Sequence, residues 1–432
     1  MIPGRSGHDA YAALGDAVKR GDVAETRRLL AAEPSLRHRI DEPRRDLSFG
    51  STLLLNAVSQ RNLDLADALL EAGADINVRS GWWAGGFGVL DTCAMDLAPA
   101  LISRGATVGP YQAARLGMVD ALREMLARDP SLVHARGGDG QTPLHVAANV
   151  GIARLLVESG ADIDALDVDH ESTPCQYLIR ERQDVVRYLL SAGARSDILM
   201  AAALGDEALA AAHLERNPDA IRTRVSSEWF PMRNRHAGGT IYTWTLGADK
   251  TAHAIAREFG HPSMVDFLNR HSPPALRFVV ACTAGDAAAA RKILDENPGL
   301  LARMSPDELA ALPTAARDND LDAVRTMLDV GWPIDVLGPE QATALHWSAF
   351  HGNAAIARRL LEASPQIELR ETTHGGTALD WAIHGSFHGW YRDSGDYASV
   401  VTALLDAGAK VPDDAAVARA SEAVQRALRR QR

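Results

Sequence analysis

Residues 141–162 read QTPLHVAANVGIARLLVESGAD. Thr142 is a residue type that caps a helix start, and Pro143 suits a first helical turn, where no backbone donor is needed. An Ala-rich step follows, then the pair Leu155-Leu156, then Gly160-Ala161-Asp162. A glycine in that place permits the left-handed residue that closes a helix. The stretch is therefore two short helices ending in a turn. Its small and large apolar faces find no partner within so few residues.

The same frame returns along the chain. It appears as STLLLNAVSQRNLDLADALLEAGAD at 51–75 and TPCQYLIRERQDVVRYLLSAGA at 173–194. It appears again as TAHAIAREFGHPSMVDFL at 251–268 and TALHWSAFHGNAAIARRLL at 343–361, and it opens with GTALDWAIHGS at 376 and closes with VTALLDAGA at 401–409. A second version ends in an acidic or amide residue and proline: LLAAEPSL at 29–36, MLARDPSL at 125–132, HLERNPDA at 213–220 and ILDENPGL at 293–300. Its helix–helix turns carry Gly21-Asp22, Gly205-Asp206 and Gly285-Asp286. Self-similarity at this period means stacked units, each burying its neighbour's apolar face.

These residues resemble the ankyrin-repeat family. TPLHVAA at 142–148 matches that family's T-P-L-H-x-A signature, TALHWSA at 343–349 departs from it by one residue, and the Gly-Ala-Asp tail belongs to the same pattern. The resemblance runs from about Tyr11 to about Arg429. It implies an all-α solenoid of paired antiparallel helices with projecting β-turn fingers, stacked in an L shape. About twelve repeats and a C-terminal helix fit the length. The expected organisation is an N-terminal array over 1–220, an inserted finger over 221–249, and a C-terminal array with a capping helix over 250–432. Leu144 to Gly160 is shorter than Leu54 to Gly73, so the repeats near 89–106 and 141–162 have clipped turns or shortened second helices.

Composition narrows the function classes. With 432 residues, 46% hydrophobic and 23% charged, the chain is a packed globular protein. Lys+Arg of 45 against Asp+Glu of 56 gives a net charge of −11, which offers no footprint for nucleic acid or an anionic membrane. Cys93, Cys175 and Cys282 are odd in number and far apart, which excludes a disulfide framework and a thiolate zinc site. The first residues, MIPGRSGHD, hold no apolar leader, and no apolar run reaches the length of a membrane span. A cytoplasmic location is expected. No cofactor motif is present, since G-x-x-x-x-G-K-[ST] and G-x-S-x-G are both missing.

Four segments break the frame: 37–49, 79–88, 221–249 and 385–395. Insertions in repeat proteins map to surface loops, often on the binding face. Residues 79–88, RSGWWAGGFG, set Trp82, Trp83 and Phe87 among glycines. Residues 221–249 combine a Gly238-Gly239 turn with the alternating run Thr240 to Thr245, which reads as an elongated hairpin finger, either covering a discontinuity in the stack or forming a wall over the groove with Trp229, Phe230, Trp244 and Arg233/Arg235 as contacts. Residues 385–395 add His388, Trp390 and Tyr391 to a repeat pair that already holds Trp347, His351, Trp381 and His384.

Trp347 and Trp381 occupy equivalent places in adjacent repeats, on the inner helices. They are expected to form a two-step aromatic platform, partly open to the groove, with His351 and His384 nearby. His145 and His346 hold the signature's own histidine position and are structural. The reading that follows is a non-catalytic scaffold that recognises a protein partner through its concave groove and fingers, with no metal. Candidate contacts are Trp347, His351, Trp381, His384, His388, Trp390 and Trp244. The alternative is an enzyme, or a small-molecule or metal-binding protein, with its site at the His/Trp-rich C-terminal repeats. No catalytic residue is assigned.

Overall fold

A computed structural model describes residues 7–411, 413 and 417–430. Residues 1–6, the start of the segment read for a leader, lie outside the described residues. The chain divides into two compact units, Met1–Asp266 and Phe267–Arg432. The 221–249 insertion packs within the first unit, and the division falls beyond it.

Both units are built from short helices in antiparallel pairs. Among the described residues there is no strand, and one isolated antiparallel bridge joins Arg224 to Thr251. The local causes are those legible in the sequence. Thr52, Thr251 and Thr377 cap inner helices by accepting the N–H of Leu55, Ala254 and Asp380. Asp22, Asp206 and Asp286 cap outer helices, accepting from Glu25, Leu209 and Ala289. The glycines of the Gly-Ala tails, Gly73, Gly160, Gly193 and Gly408, have φ between 90° and 103°. An L-residue there would be strained, which is why the repeat ends on glycine.

The repeat with the most complete signature departs from the expected helix pair. Pro143–Val146 forms only a 3-10 turn, whereas the outer helix, Val150–Glu158, is full length. At 141–162 the expectation of a shortened second helix is thus corrected, the first helix being the clipped one, whereas near 89–106 the second helix, Ala98–Ser103, is short as expected. Asn149 accepts the N–H of Ile152 and starts the outer helix early, so the inner helix loses its last turn.

The insertion at 221–249 also departs from expectation. Its alternating run is helical, not extended: Thr243–Gly247 is a single wide turn, and Tyr242, fully buried, donates to Asp197 Oδ2 at 2.8 Å. Alternation of polar and apolar residues did not produce a strand because no partner strand lies beside it. Instead, Ile241 N–H donates to Ser172 Oγ and Thr245 Oγ1 donates to the Gln176 carbonyl, which fasten the segment onto the neighbouring repeat.

The cores follow the repeat. In the first unit Leu14, Leu53, Leu54, Leu65, Leu69 and Leu101 are essentially inaccessible. In the second, Phe278 stacks on Trp332 with ring centroids 5.3 Å apart, and Leu345, Ile356, Leu379, Val400 and Val424 continue the core.

Candidate functional site

In the first unit, two of the frame-breaking segments converge on two turns that precede the Thr-Pro steps of adjacent repeats. The first turn, residues 137–141, holds Asp139 in a left-handed conformation (φ 54°). Its N–H donates to Gly85 of the 79–88 segment, and Trp82 Nε1–H donates to Asp139 Oδ1 at 2.9 Å. The Asp139 carbonyl accepts from Val168 and Asp169 of the second turn. Asp169 in turn accepts the Gly238 N–H on its carbonyl and on Oδ1. His170 Nδ1 lies 2.8 Å from the Gly239 carbonyl. One hydrogen-bonded chain thus runs from 79–88 through both turns into 221–249.

Two glycines make this approach possible. A Cβ on Gly138 would lie 2.1 Å from the Phe87 ring, and one on Gly238 would lie 3.1 Å from His170 Cε1 and 3.2 Å from Asp169 Oδ2.

Asp139, Asp169 and His170 are each more than nine-tenths buried, and one donor atom of each lies within 4.8 Å of the others. His170 Nε2 stands 3.4 Å from Asp169 Oδ2. Burial, followed by the charge of Asp169, pushes the Asp139 carboxyl up to about 6. Asp167, two residues before Asp169, is different. It accepts from the N–H groups of Asp169, His170 and Ser172 and from the Tyr177 hydroxyl, and so holds the turn together. Aromatic rings of the insertions lie nearby. Trp244 lies 4.9 Å from the His170 ring, Phe49 lies 5.1 Å from Trp82, and Trp83 lies 6.1 Å from His236.

The second unit does bring the expected His/Trp group into one neighbourhood. Trp347 meets Trp381 edge-on at 5.1 Å, His351 at 5.8 Å and Trp390 at 6.0 Å, while Phe350 stacks on His384 at 6.3 Å. His384 and His388 are 4.9 Å apart on one helix, Ala378–His388. The open platform is corrected, however. Trp347 is 5% exposed and Trp381 9%, and both indole N–H groups are used, by the Pro339 carbonyl and by Glu371 Oε1. The reason is spacing: inner helices in contact leave room for interlocked rings but not for a cleft between them. His351 is buried too, with Nε2 2.7 Å from the Arg317 carbonyl, and burial holds its pKa below the usual range. Trp390, 67% exposed, lies over this layer, and His384 and His388 are exposed. Trp244, of the first unit, is 59% exposed.

His145 and His346 serve the repeat. Each has Nδ1 beside its own Thr-capped turn and Nε2 beside a carbonyl of the next repeat, Ser172 and Gly376 respectively. Burial brings His145 down to about 4.

Sequence reading did not single out Asp139, Asp169 or His170. A signal existed: Asp139 and His170 each stand three residues before the Thr of adjacent Thr-Pro steps, Thr142 and Thr173.

A family model described as ankyrin repeats (3 copies) matches residues 111–200, 276–371 and 312–414, and an ankyrin-repeat model matches residues 49–78. Ankyrin repeat and SAM domain-containing protein 6 of Rattus norvegicus is 32% identical over 133 residues, 30% of this chain and 15% of that protein. The serine/threonine-protein kinase VIK of Arabidopsis thaliana is 50% identical over 50 residues, 11% of each chain. The chain thus spans 15% or less of the length of these curated relatives. Among solved structures, the crystal structure of the human ASB11 ankyrin repeat domain is similar at 18% identity, with a TM-score of 0.29, covering 71% of this chain and 100% of that one.

Proposed function

The chain belongs to the ankyrin-repeat family, and we propose that within it this protein is a non-catalytic scaffold that takes a protein partner on its insertions and fingers. One observation carries this reading. Every large aromatic exposed among the described residues lies in a frame-breaking segment: Phe49, Trp83, Trp244, Phe387, Trp390 and Tyr391. The repeats bury their own aromatics, so these six are not needed for stacking. Exposed Trp and Tyr on a rigid support are the side chains that dominate protein–protein contacts.

In this reading Trp244, Trp390, His384 and His388 touch the partner. Trp347, Trp381 and His351 act beneath Trp390, as the packed layer that holds it in place. The free, buried thiols of Cys93, Cys175 and Cys282 suit a reducing compartment, which supports a cytoplasmic setting.

The test is comparative. Partners captured by the parent chain are quantified by mass spectrometry against Trp83→Ala/Trp244→Ala and Phe387→Ala/Trp390→Ala. A protein retained by the parent and lost by either double variant, at unchanged melting temperature, supports the reading. Identical capture by all three proteins refutes it.

A further inference from the structure

Two buried carboxylates and a histidine meet where two finger turns and two insertions are tied together, and the hydrogen bonds that tie them do not call for two negative charges. Asp139 and Asp169 have no ion pair with any Lys or Arg among the described residues; the charged contact recorded at this group is His170 with Asp169. Buried charges are normally paired or bound to metal.

The histidine sharpens the point. A carbonyl oxygen only accepts, so the contact with Gly239 places a proton on His170 Nδ1. In the neutral ring Nε2 is then a bare acceptor, and it faces Asp169 Oδ2, another acceptor, at 3.4 Å. A proton on Nε2 would neutralise one carboxylate and leave the second. A divalent cation neutralises both and gives Nε2 its partner. The backbone carbonyl behind Nδ1 is also the support that metal-binding histidines commonly use to fix their ring.

We infer that Asp139, Asp169 and His170 bind one divalent transition-metal ion, which clips the turns at 137–141 and 167–172 to the 221–249 insertion. Their donor atoms, within 4.8 Å of one another, suit an ion about 2.0–2.2 Å from each after small side-chain rotation. Imidazole with carboxylates favours zinc or manganese over calcium, whose ligands are oxygens. Three protein ligands leave a tetrahedral ion one position for water.

The experiment uses the full chain, stripped with chelator. Calorimetric titration is run with zinc chloride, manganese chloride and calcium chloride separately, each alongside a melting curve. One equivalent of zinc or manganese should bind per chain and raise the melting temperature by several degrees, with calcium at least tenfold weaker. Asp139→Asn/Asp169→Asn should bind at least a hundredfold more weakly, with circular dichroism reporting whether it folds. His170→Gln should lose at least tenfold, and it serves alone if the double variant does not fold. His384→Gln/His388→Gln, the other close imidazole pair, should bind as the parent does. The inference falls if neither zinc nor manganese binds the parent, if calcium binds equally well, or if binding follows His384 and His388 instead of Asp139, Asp169 and His170.

Discussion

Glu371 in the second unit and Asp139 in the first are both buried carboxylates beside a tryptophan, and their surroundings treat them in opposite ways. Burial acts to raise Glu371, but the N–H groups of His374 (2.7 Å) and Gly376 (2.9 Å) and the Trp381 indole (3.3 Å) outweigh it and hold the carboxyl below its usual range. Asp139 receives the Trp82 indole alone on its side chain, so burial, joined by the charge of Asp169 close by, raises it. The aromatic layer around Trp347 is therefore a finished structure, with its polar atoms mostly answered by backbone. The group around Asp139 is arranged with equal care in its backbone, yet leaves charge uncompensated. Aromatic density marked the first place in the sequence; unanswered charge marks the second in the structure.

The strongest way to break this comparison is Trp347→Ala. If the indole is core, its loss costs about 3–5 kcal/mol, measured by urea unfolding. A cost near zero would return Trp347 to an open groove.

Acid comes next. His145 is neutral in the fold, its pKa brought down from 6.5 to about 4. The unfolded chain therefore binds more protons as pH falls below 6.5, so stability is fully present above that value and is lost towards pH 4. The loss from this residue is about 3 kcal/mol. His346 is shifted the same way by burial and adds to it. Urea midpoints at pH 7.5 and 4.5 read the total, and His145→Gln should flatten the slope between them. An unchanged midpoint in the parent would mean that neither imidazole is buried neutral.

The two carboxylates themselves give the sharpest contrast. Glu371→Gln places an NH2 group against N–H donors and should destabilise by about 1–3 kcal/mol. Asp139→Asn, in chelator, keeps an acceptor for Trp82 and removes a buried charge, so it should be neutral or stabilising. Equal losses for both would erase the distinction.

The smallest effect belongs to the surface. Trp244→Ala and Trp390→Ala should each change stability by about 0.5 kcal/mol or less while reducing partner capture. A large loss of stability in either would make that side chain part of the packing.

Much of the architecture was legible in the sequence. Thr caps, the Leu-Leu pair and the closing glycine are local signals, and each acts through its own backbone neighbours. So Thr52, Asp206 and Gly73 do in the fold what their residue types dictate. The His/Trp neighbourhood was legible as well, because the repeat frame places equivalent positions side by side.

What the sequence alone determined was thus the periodic part: which residues stack, which residues cap and close most helices, and which segments stand outside the frame. Only the tertiary structure decided the rest. Whether Trp347 faces a cleft or a neighbour depends on how closely two helices approach, and the frame does not encode that distance. Whether Thr240 to Thr245 extends or coils depends on which groups of the next repeat accept and donate to it. Asp139 and His170 lie 31 residues apart in the chain. The repeat frame sets their turns side by side, the Asp139 carbonyl accepting from Val168 and Asp169, but only the tertiary structure decided that the 79–88 and 221–249 insertions are tied onto both side chains, which are buried there.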